Sequence, residues 1–406
     1  MLIAKPEKTK GFHLFQFGEL LLIGFLLAVM YMTNAWDGLI YLLLSLMVLA
    51  ILNFYKNRIL IFSNKTLYQF VKAVAIIVVS FFIFSLPFSL NFKPFVFGIG
   101  VICAPTFLTN IGKIGPFLFE ANHCDRSPLW QLVMLYGFFY FFVMSFLAFL
   151  KFKKNYQFSK SDMFVLLMIL LSTLLIIVPE FVYVKDIYPT YYRANTMFKL
   201  VYEAFMMLSL SSGYILIKLI MNIKRRIILT TFCVISFVLL CLVWVYPFFA
   251  IPSYYGNILN LKNYKGLDGI NYLNSLYPGD YNLVNWLNKN IKGQPVILEA
   301  SGDSYTDYAR ISANTGLPTV IGWSVHEWLW RGTYDVVSPR ITDAQNLYTT
   351  KDINLEKQLL KQYQIRYVVV GDLEVEKYPN LNEENFKKLG RLVFQSGDTK
   401  LYQISL

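Results

Sequence analysis

Residues 180–199, EFVYVKDIYPTYYRANTMFK, place Glu180, Lys185, Asp186, Arg193, Asn195 and Lys199 between two apolar runs, 163–179 and 197–219. Ionisable groups at a membrane boundary are costly unless paired or hydrated, which makes them site candidates. Arg193, Asn195 and Lys199 gather at the start of the second run, where a side-chain oxygen of Asn195 or Thr196 suits a helix N-cap. A helix N-terminus flanked by two cations is the kind of place that takes phosphate. Lys199, Tyr202 and Glu203 recur at i, i+3 and i+4, so they share a helix face. The structural alternative is a set of snorkelling side chains and a Lys199–Glu203 pair that only braces the helix.

A second group occupies 299–332, EASGDSYTDYARISANTGLPTVIGWSVHEWLWRG. Glu299, Arg310, His326, Glu327 and Arg331 are among its charged or titratable members, with aromatic surface from Tyr305, Trp323, Trp328 and Trp330. Aromatic faces beside carboxylates suit sugars, whose apolar ring faces stack while their hydroxyls need acceptors. His326-Glu327 opens like a zinc-protease motif, but position 330 is Trp, so the second ligand is missing. Glu327 and Arg331 at i, i+4 also fit a plain helical ion pair, and the tryptophans also fit a membrane surface. Asp37, in TNAWD, reads as a turn or cap residue. No P-loop, GxGxxG, Cys/His metal cluster or GxSxG appears, so kinase, dehydrogenase, hydrolase and ATP-driven pump lack a motif.

The elements that must position these residues follow from composition. Apolar residues make up 56% of the chain and charged ones 15%, against roughly 25% charged in soluble domains. A bilayer core needs about 20 apolar residues per helix. Seven stretches qualify, near 14–33, 38–55, 68–87, 129–150, 162–179, 197–220 and 227–247.

Alternation of these spans puts Lys5, Lys8, Lys10, Lys56, Arg58, Lys65, Lys151, Lys153, Lys154, Lys160, Lys224, Arg225 and Arg226 on one side. Only Lys93, Lys113, Arg126, Lys185 and Arg193 fall on the other. Thirteen against five predicts a cytoplasmic N-terminus in a multi-pass cytoplasmic-membrane protein, with residues 248–406 delivered outside. Loop position of the cations also explains the net charge of +12 without nucleic acid. The basic start runs into the first span without a small-residue cleavage pattern, so it reads as an anchor. Loop 88–128, rich in Pro and Gly, suits a re-entrant or surface-lying lid. A Cys103–Cys124 disulfide is open on spacing alone.

Beyond the last span the pattern shortens. Residues 281–291 and 355–364 read as helices, and 295–300, 317–323 and 366–371 as strands. The chain closes with a hairpin around Gly397 and Asp398. The expected architecture is a polytopic α-helical membrane domain of about seven spans, 1–247, followed by a small extracytoplasmic α/β domain, 248–406.

TNAWD, DRSPLWQLVMLYG (125–137), the Glu180…Asp186…RANTMFK loop and the 299–332 motifs together resemble the C-terminal half of the uncharacterised "YYY" family of bacterial and archaeal membrane proteins. That family is similar in architecture to the GT-C glycosyltransferases, which take sugars from polyprenyl-phosphate carriers on the outer face. The resemblance implies Glu180 and Asp186 as catalytic carboxylates that position the acceptor or a divalent metal, with Arg193, Asn195, Lys199 and Tyr202 on the lipid-linked phosphate. It also implies Glu299, Tyr305, Arg310, Trp323, His326, Glu327 and Arg331 as sugar- or acceptor-binding residues. The family's N-terminal half, with its tyrosine triplet, has no counterpart in this sequence, so the resemblance implies a C-terminal half that is either truncated or split, with a separate N-terminal-half protein as partner in the split case. Glu203 stands where the family more often has Gln. A non-catalytic scaffold, a lipid-carrier-binding subunit and a lipid-linked sugar transporter are the alternative roles; membrane lipids are partners in all of them.

Overall fold

The structure, a computed structural model, describes residues 17–57, 64–92, 98–153, 156–185, 191–256, 267–331 and 333–405, with the backbone alone at 53–57 and 64–66. Asp186 lies outside the described residues, as do Lys5, Lys8, Lys10, Arg58, Lys93 and Lys154. The chain divides into two compact units, Met1–Phe249 and Ala250–Leu406.

The first unit is built from apolar helices: α1 (Phe17–Thr33), α2 (Ala35–Asn57), α3 (Asn64–Ser89), α5 (Leu129–Phe152), α6 (Lys160–Ile177), α7 (Ala194–Asn222) and α8 (Arg226–Tyr255), with a short α4 (Thr106–Ile111) in the long loop. A helix satisfies every backbone polar group within its own segment, which hydrocarbon demands. Six of them, α2, α3 and α5 to α8, are long and apolar enough to cross a membrane, and α1 is a shorter apolar helix. The chain is therefore a polytopic helical membrane protein, with a helix at each of the seven expected places.

Helix boundaries follow local chemistry. Ser159 and Asp162 form a reciprocal capping box at the start of α6, and Pro128 precedes α5. The core joins α5, α6 and α7 through Phe139, Phe142, Phe146, Leu171, Leu208 and Ile215. A second cluster unites α1 and α3 through Leu27, Ala28, Ile77 and Phe81.

The long loop is not a span. It folds with residues 182–184 into a four-stranded sheet of β1 (Ile99–Val101), β2 (Lys113–Ile114), β3 (Phe117–Leu118) and β4 (Val182–Val184), in the order β2-β3-β1-β4. β4 pairs antiparallel with β1, Ile99 opposite Val184 and Val101 opposite Val182. A Cβ at Gly100 would collide with the Tyr183 ring, so glycine lets that ring lie across β1. Cys103 and Cys124 are joined by a disulfide that closes the loop behind this sheet.

The second unit is a sheet between two helical layers. Its strands, β5 (Val296–Leu298), β6 (Ile365–Val370), β7 (Gly390–Ser396) and β8 (Thr399–Ile404), run in the order β5-β6-β8-β7; β5 and β6 are parallel and the other pairs antiparallel. Side chains alternate between faces along each strand. Ile297, Val369 and Leu401 meet α10 (Pro278–Asn290) through Leu283, Val284 and Leu287, in a cluster completed by Leu273 of α9 (Asn271–Leu276) and Ile311 of α11 (Arg310–Thr315).

Leu298, Val368, Val370, Tyr402 and Ile404 pack on the other face. Their partners come from α13 (Val337–Thr349), α14 (Ile353–Gln362) and α16 (Glu383–Leu389). Two shorter helices, α12 (Ser324–Arg331) and α15 (Asp372–Lys377), complete the unit. β7 and β8 form the expected hairpin, with Gly397 at positive φ in its two-residue turn. The strand expected at 317–323 is reduced to one bridge, Thr319 to Ile297. Pro318 brings no N–H to a ladder and contributes its carbonyl to Ile297 instead.

Candidate functional site

Two clusters emerge, one in each unit. In the membrane unit, Pro179 sits in a single 3-10 turn, Val178–Glu180, that ends α6 and presents Glu180 just beyond it. Glu180 is nearly buried; its Oε2 accepts from the Ser127 N–H at 2.7 Å and from Arg193 Nη1 at 2.8 Å. Arg193 also reaches the Pro179 carbonyl at 3.3 Å and, through Nη2, the Ser127 hydroxyl at 3.2 Å. One guanidinium thus ties together the end of α6, the approach to α5 and the start of α7.

The neighbouring expectations fare differently. Arg193 itself is the N-cap residue of α7, without a side-chain cap, so neither Asn195 nor Thr196 caps the helix. The Thr196 hydroxyl accepts from the Val184 N–H of β4 at 2.9 Å, which fastens the small sheet to the helix. Glu203 is buried and accepts from the Tyr41 hydroxyl of α2 at 2.6 Å, so its bond runs between helices and the Lys199–Glu203 pair is not made. Lys199 is half-buried, its Nζ 5.7 Å from the Phe198 ring centre, while Asn195 and Tyr202 are exposed. Asp37 accepts from Asn34 at 2.8 Å within the α1–α2 turn, the structural role expected of it.

Sequence reasoning missed the polar set beside this cluster. The Tyr183 hydroxyl donates to Glu120 Oε2 at 2.7 Å and lies 2.5 Å from His123 Nδ1. Lys185 Nζ bonds Glu120 Oε1 at 2.8 Å. His123 stacks on Tyr192, rings 3.9 Å apart and 3° from parallel, and the Tyr192 hydroxyl bonds Asp125. Burial alone would raise the Glu120 carboxyl, but the hydrogen bonds from Lys185 and Tyr183 and the charges nearby outweigh it and hold it below the usual range. Burial, with Glu120 next to it, pushes the Tyr183 hydroxyl well up.

An ionised Glu120 takes Tyr183's single proton, which makes His123 Nδ1 the donor to Tyr183 and leaves Nε2 outside this chain of bonds. Among the described residues nothing bonds that Nε2. The signal was in FEANHCDRSP (119–128), a dense polar run holding one of only three histidines, but its partners are more than fifty residues away.

In the second unit, the segments after β5 gather at the carboxyl ends of the parallel pair β5–β6, the usual place for ligands in open α/β sheets. Tyr305, Trp323 and His326 form a ring cluster: Tyr305 lies 5.7 Å from Trp323 and 5.3 Å from His326, and Trp323 lies 5.3 Å from His326. Tyr305 is 81% exposed. Beneath it the rings are held, Trp323 Nε1 by the Tyr308 carbonyl at 3.0 Å and His326 Nδ1 by the Ser304 hydroxyl at 2.6 Å. The exposed Asp303 supplies a carboxylate next to Ser324, 3.5 Å away.

Glu299 and Arg310 sit elsewhere. Both are 1% exposed. Glu299 accepts from the Ile311 and Ser312 N–H groups at 2.8 Å each, at the start of α11. Arg310 bonds Asp280 at 2.5 Å and Glu374 at 3.0 and 3.1 Å. These contacts saturate both groups with protein partners and knit β5, α10 and α15 together. Glu327 and Arg331 make the surface i, i+4 pair at 2.6 Å. Among the described residues no three His, Cys, Asp or Glu side chains converge as a metal-holding group.

The family model of an uncharacterized membrane protein, DUF2298, matches residues 3–163 and 149–208. It covers the membrane-unit cluster and stops short of the 299–332 motifs. No curated protein matches the chain.

Proposed function

The chain belongs to the DUF2298 family of uncharacterised membrane proteins, the YYY family, and from that premise we propose that it acts as a GT-C-like glycosyltransferase, or the C-terminal half of one, that uses polyprenyl-phosphate-linked sugar in envelope glycan assembly. Transfer from such a carrier needs a base to take the proton of the acceptor hydroxyl as its oxygen attacks the anomeric carbon. It also needs cations for the phosphate that leaves with the carbon–oxygen bond electrons. The observation that carries the reading is Arg193, a guanidinium held at a helix mouth by Glu180 and Ser127, with Lys199 farther along the same helix. A lipid phosphate recruits both cations, and a carboxylate, Glu180 once relieved of Arg193 or else Asp186, has the role of positioning the acceptor.

The outer face is favoured by two independent facts. Disulfides persist in oxidising compartments, and Cys103–Cys124 lies in the loop on the cation-poor side. The ring cluster of Tyr305, Trp323 and His326 supports sugar or acceptor binding by the second unit. Arg193→Ala with Lys199→Ala is expected to abolish binding of polyprenyl-phosphate-sugar by the purified protein in nanodiscs; unchanged binding sinks the proposal.

A lipid-carrier-binding subunit without its own chemistry is the second reading. It is favoured by the two donors on Glu180 Oε2, because a carboxylate so held is a weak base. Sugar transfer by the purified chain alone separates the two: turnover lost in Glu180→Gln with binding retained supports catalysis, whereas binding without turnover supports the subunit.

A further inference from the structure

Away from Arg193, at the other ends of α5 and α7, a groove of about 870 Å³ opens between these helices and the first turns of α8. That volume is in the range of small-ligand sites, roughly 300–1,000 Å³. Its wall is aromatic and aliphatic, with Phe141, Phe149, Phe232 and Ile235, and its lining ends in Lys153, Lys224 and Arg225.

The groove exists because α8 stands off from the bundle. Only Phe232 and Ser236 are buried along its thirty residues, and Phe232 makes the anchoring contact by stacking on Phe141, rings 5.8 Å apart. Inside a bilayer such a gap holds acyl chain, because no water or peptide is available there to fill it.

The charge at its mouth is unbalanced. Lys153 Nζ donates to the Asn222 carbonyl at 3.0 Å and so covers the end of α7. Lys224 and Arg225 are exposed, and among the described residues neither makes an ion pair. Asp162, a buried carboxylate that also contacts α7, is already taken by Lys218 at 3.4 Å and by Tyr156 and Tyr214. Basic pockets between membrane helices bind anionic headgroups for this reason.

We propose that the groove binds one anionic phospholipid, its phosphate at Lys224, Arg225 and Lys153 and an acyl chain along Phe141, Phe149 and Phe232. The two parts recognise two features of one molecule: the cations select the headgroup charge and the rings hold the chain.

Native mass spectrometry of the purified full chain tests this with phosphatidylglycerol and phosphatidylcholine of identical acyl chains. The wild-type protein is expected to retain phosphatidylglycerol in preference to phosphatidylcholine. Lys224→Gln with Arg225→Gln, both at exposed positions, is expected to cut that preference by roughly tenfold. Ala148→Trp, which fills the groove, is expected to remove the bound lipid of either kind. Equal retention of the two lipids overturns the proposal, and so does a preference that survives the double substitution or the filled groove. Helical content and monodisperse elution of each variant separate loss of the site from loss of the fold.

Discussion

Arg193 Nη1 lies 2.8 Å from Glu180 Oε2, and both side chains are largely withdrawn from solvent. Removing one partner of a buried pair leaves the other uncompensated, a loss of roughly 3–5 kcal/mol when burial is complete. Partial exposure scales this down, so Arg193→Gln is expected to destabilise the membrane unit by about 2 kcal/mol. Arg193→Met with Glu180→Met is expected to cost less than the two single changes together. Denaturant unfolding in detergent across the double-mutant cycle measures the coupling; a value under about 0.5 kcal/mol removes the pinning role assigned to Arg193.

How much of this was readable in the sequence depends on the range of each interaction. The spans were legible because apolar length is a local property, and so were α10, α14 and the Gly397 hairpin. Glu327–Arg331 was legible for the same reason. Glu180 and Arg193 were singled out individually, but their mutual bond and Ser127 were not, since that contact depends on where α5 begins. Tyr183 with Glu120 and His123 joins residues about sixty positions apart, across a sheet that forms only when β4 closes on β1. Arg310 entered as a binding residue through the family resemblance; the partners that bury it, Asp280 and Glu374, are 30 and 64 positions away.

Cys103 and Cys124 enclose a loop with a sequence separation of 21, for which cross-linking is worth about 3 kcal/mol by the loop-entropy relation. Cys103→Ser is therefore expected to loosen the small sheet and expose its amides, while α5 to α7 remain protected. Hydrogen exchange with and without the substitution reads this directly. The outward placement proposed for this loop has its own test: an impermeant maleimide should label Lys292→Cys in intact cells and Lys224→Cys only after permeabilisation. The reverse pattern overturns the outward placement of both the loop and the second unit.

Glu356 is buried, with Oε2 accepting from Asn385 at 2.6 Å and Oε1 without a partner among the described residues. Burial pushes its carboxyl up to about 7. The folded state therefore holds this proton more tightly than the unfolded chain does. The contribution to stability is full below the unfolded value, about 4.3, and is lost as pH rises through 7. Between pH 5 and pH 8 the second unit is expected to lose on the order of 2 kcal/mol from this group. Glu356→Gln should abolish the slope. Stability of wild type minus variant that stays constant over that interval would falsify the assignment.

Arg310 bridges Asp280 and Glu374 with neither carboxylate exposed. Arg310→Met strands two negative charges in the interior, and a loss of roughly 3–5 kcal/mol is expected. Arg310→Lys should rescue little of it, because an ammonium lacks the fork that meets Glu374 with two nitrogens while Nε meets Asp280. Guanidinium unfolding followed through tryptophan fluorescence provides the measurement. A lysine variant as stable as wild type would mean that charge alone, without the fork, holds this corner.

Tyr305 and Trp323 offer the sharpest separation of binding from folding. Tyr305 is exposed and touches the cluster only through its ring, whereas Trp323 is also bonded to the Tyr308 carbonyl beneath it. Removing an exposed ring leaves no buried group unsatisfied, so Tyr305→Ala is expected to change stability by no more than about 0.5 kcal/mol. If the rings stack a sugar, the same substitution loses one face of the platform, and binding of an oligosaccharide should weaken about fivefold, equivalent to roughly 1 kcal/mol. Trp323→Ala should lose binding and stability together, because the Tyr308 carbonyl is left unpaired. Isothermal titration of the full-length protein with a panel of neutral and acidic oligosaccharides decides it. Binding that Tyr305→Ala leaves untouched would assign this aromatic surface to something other than sugar.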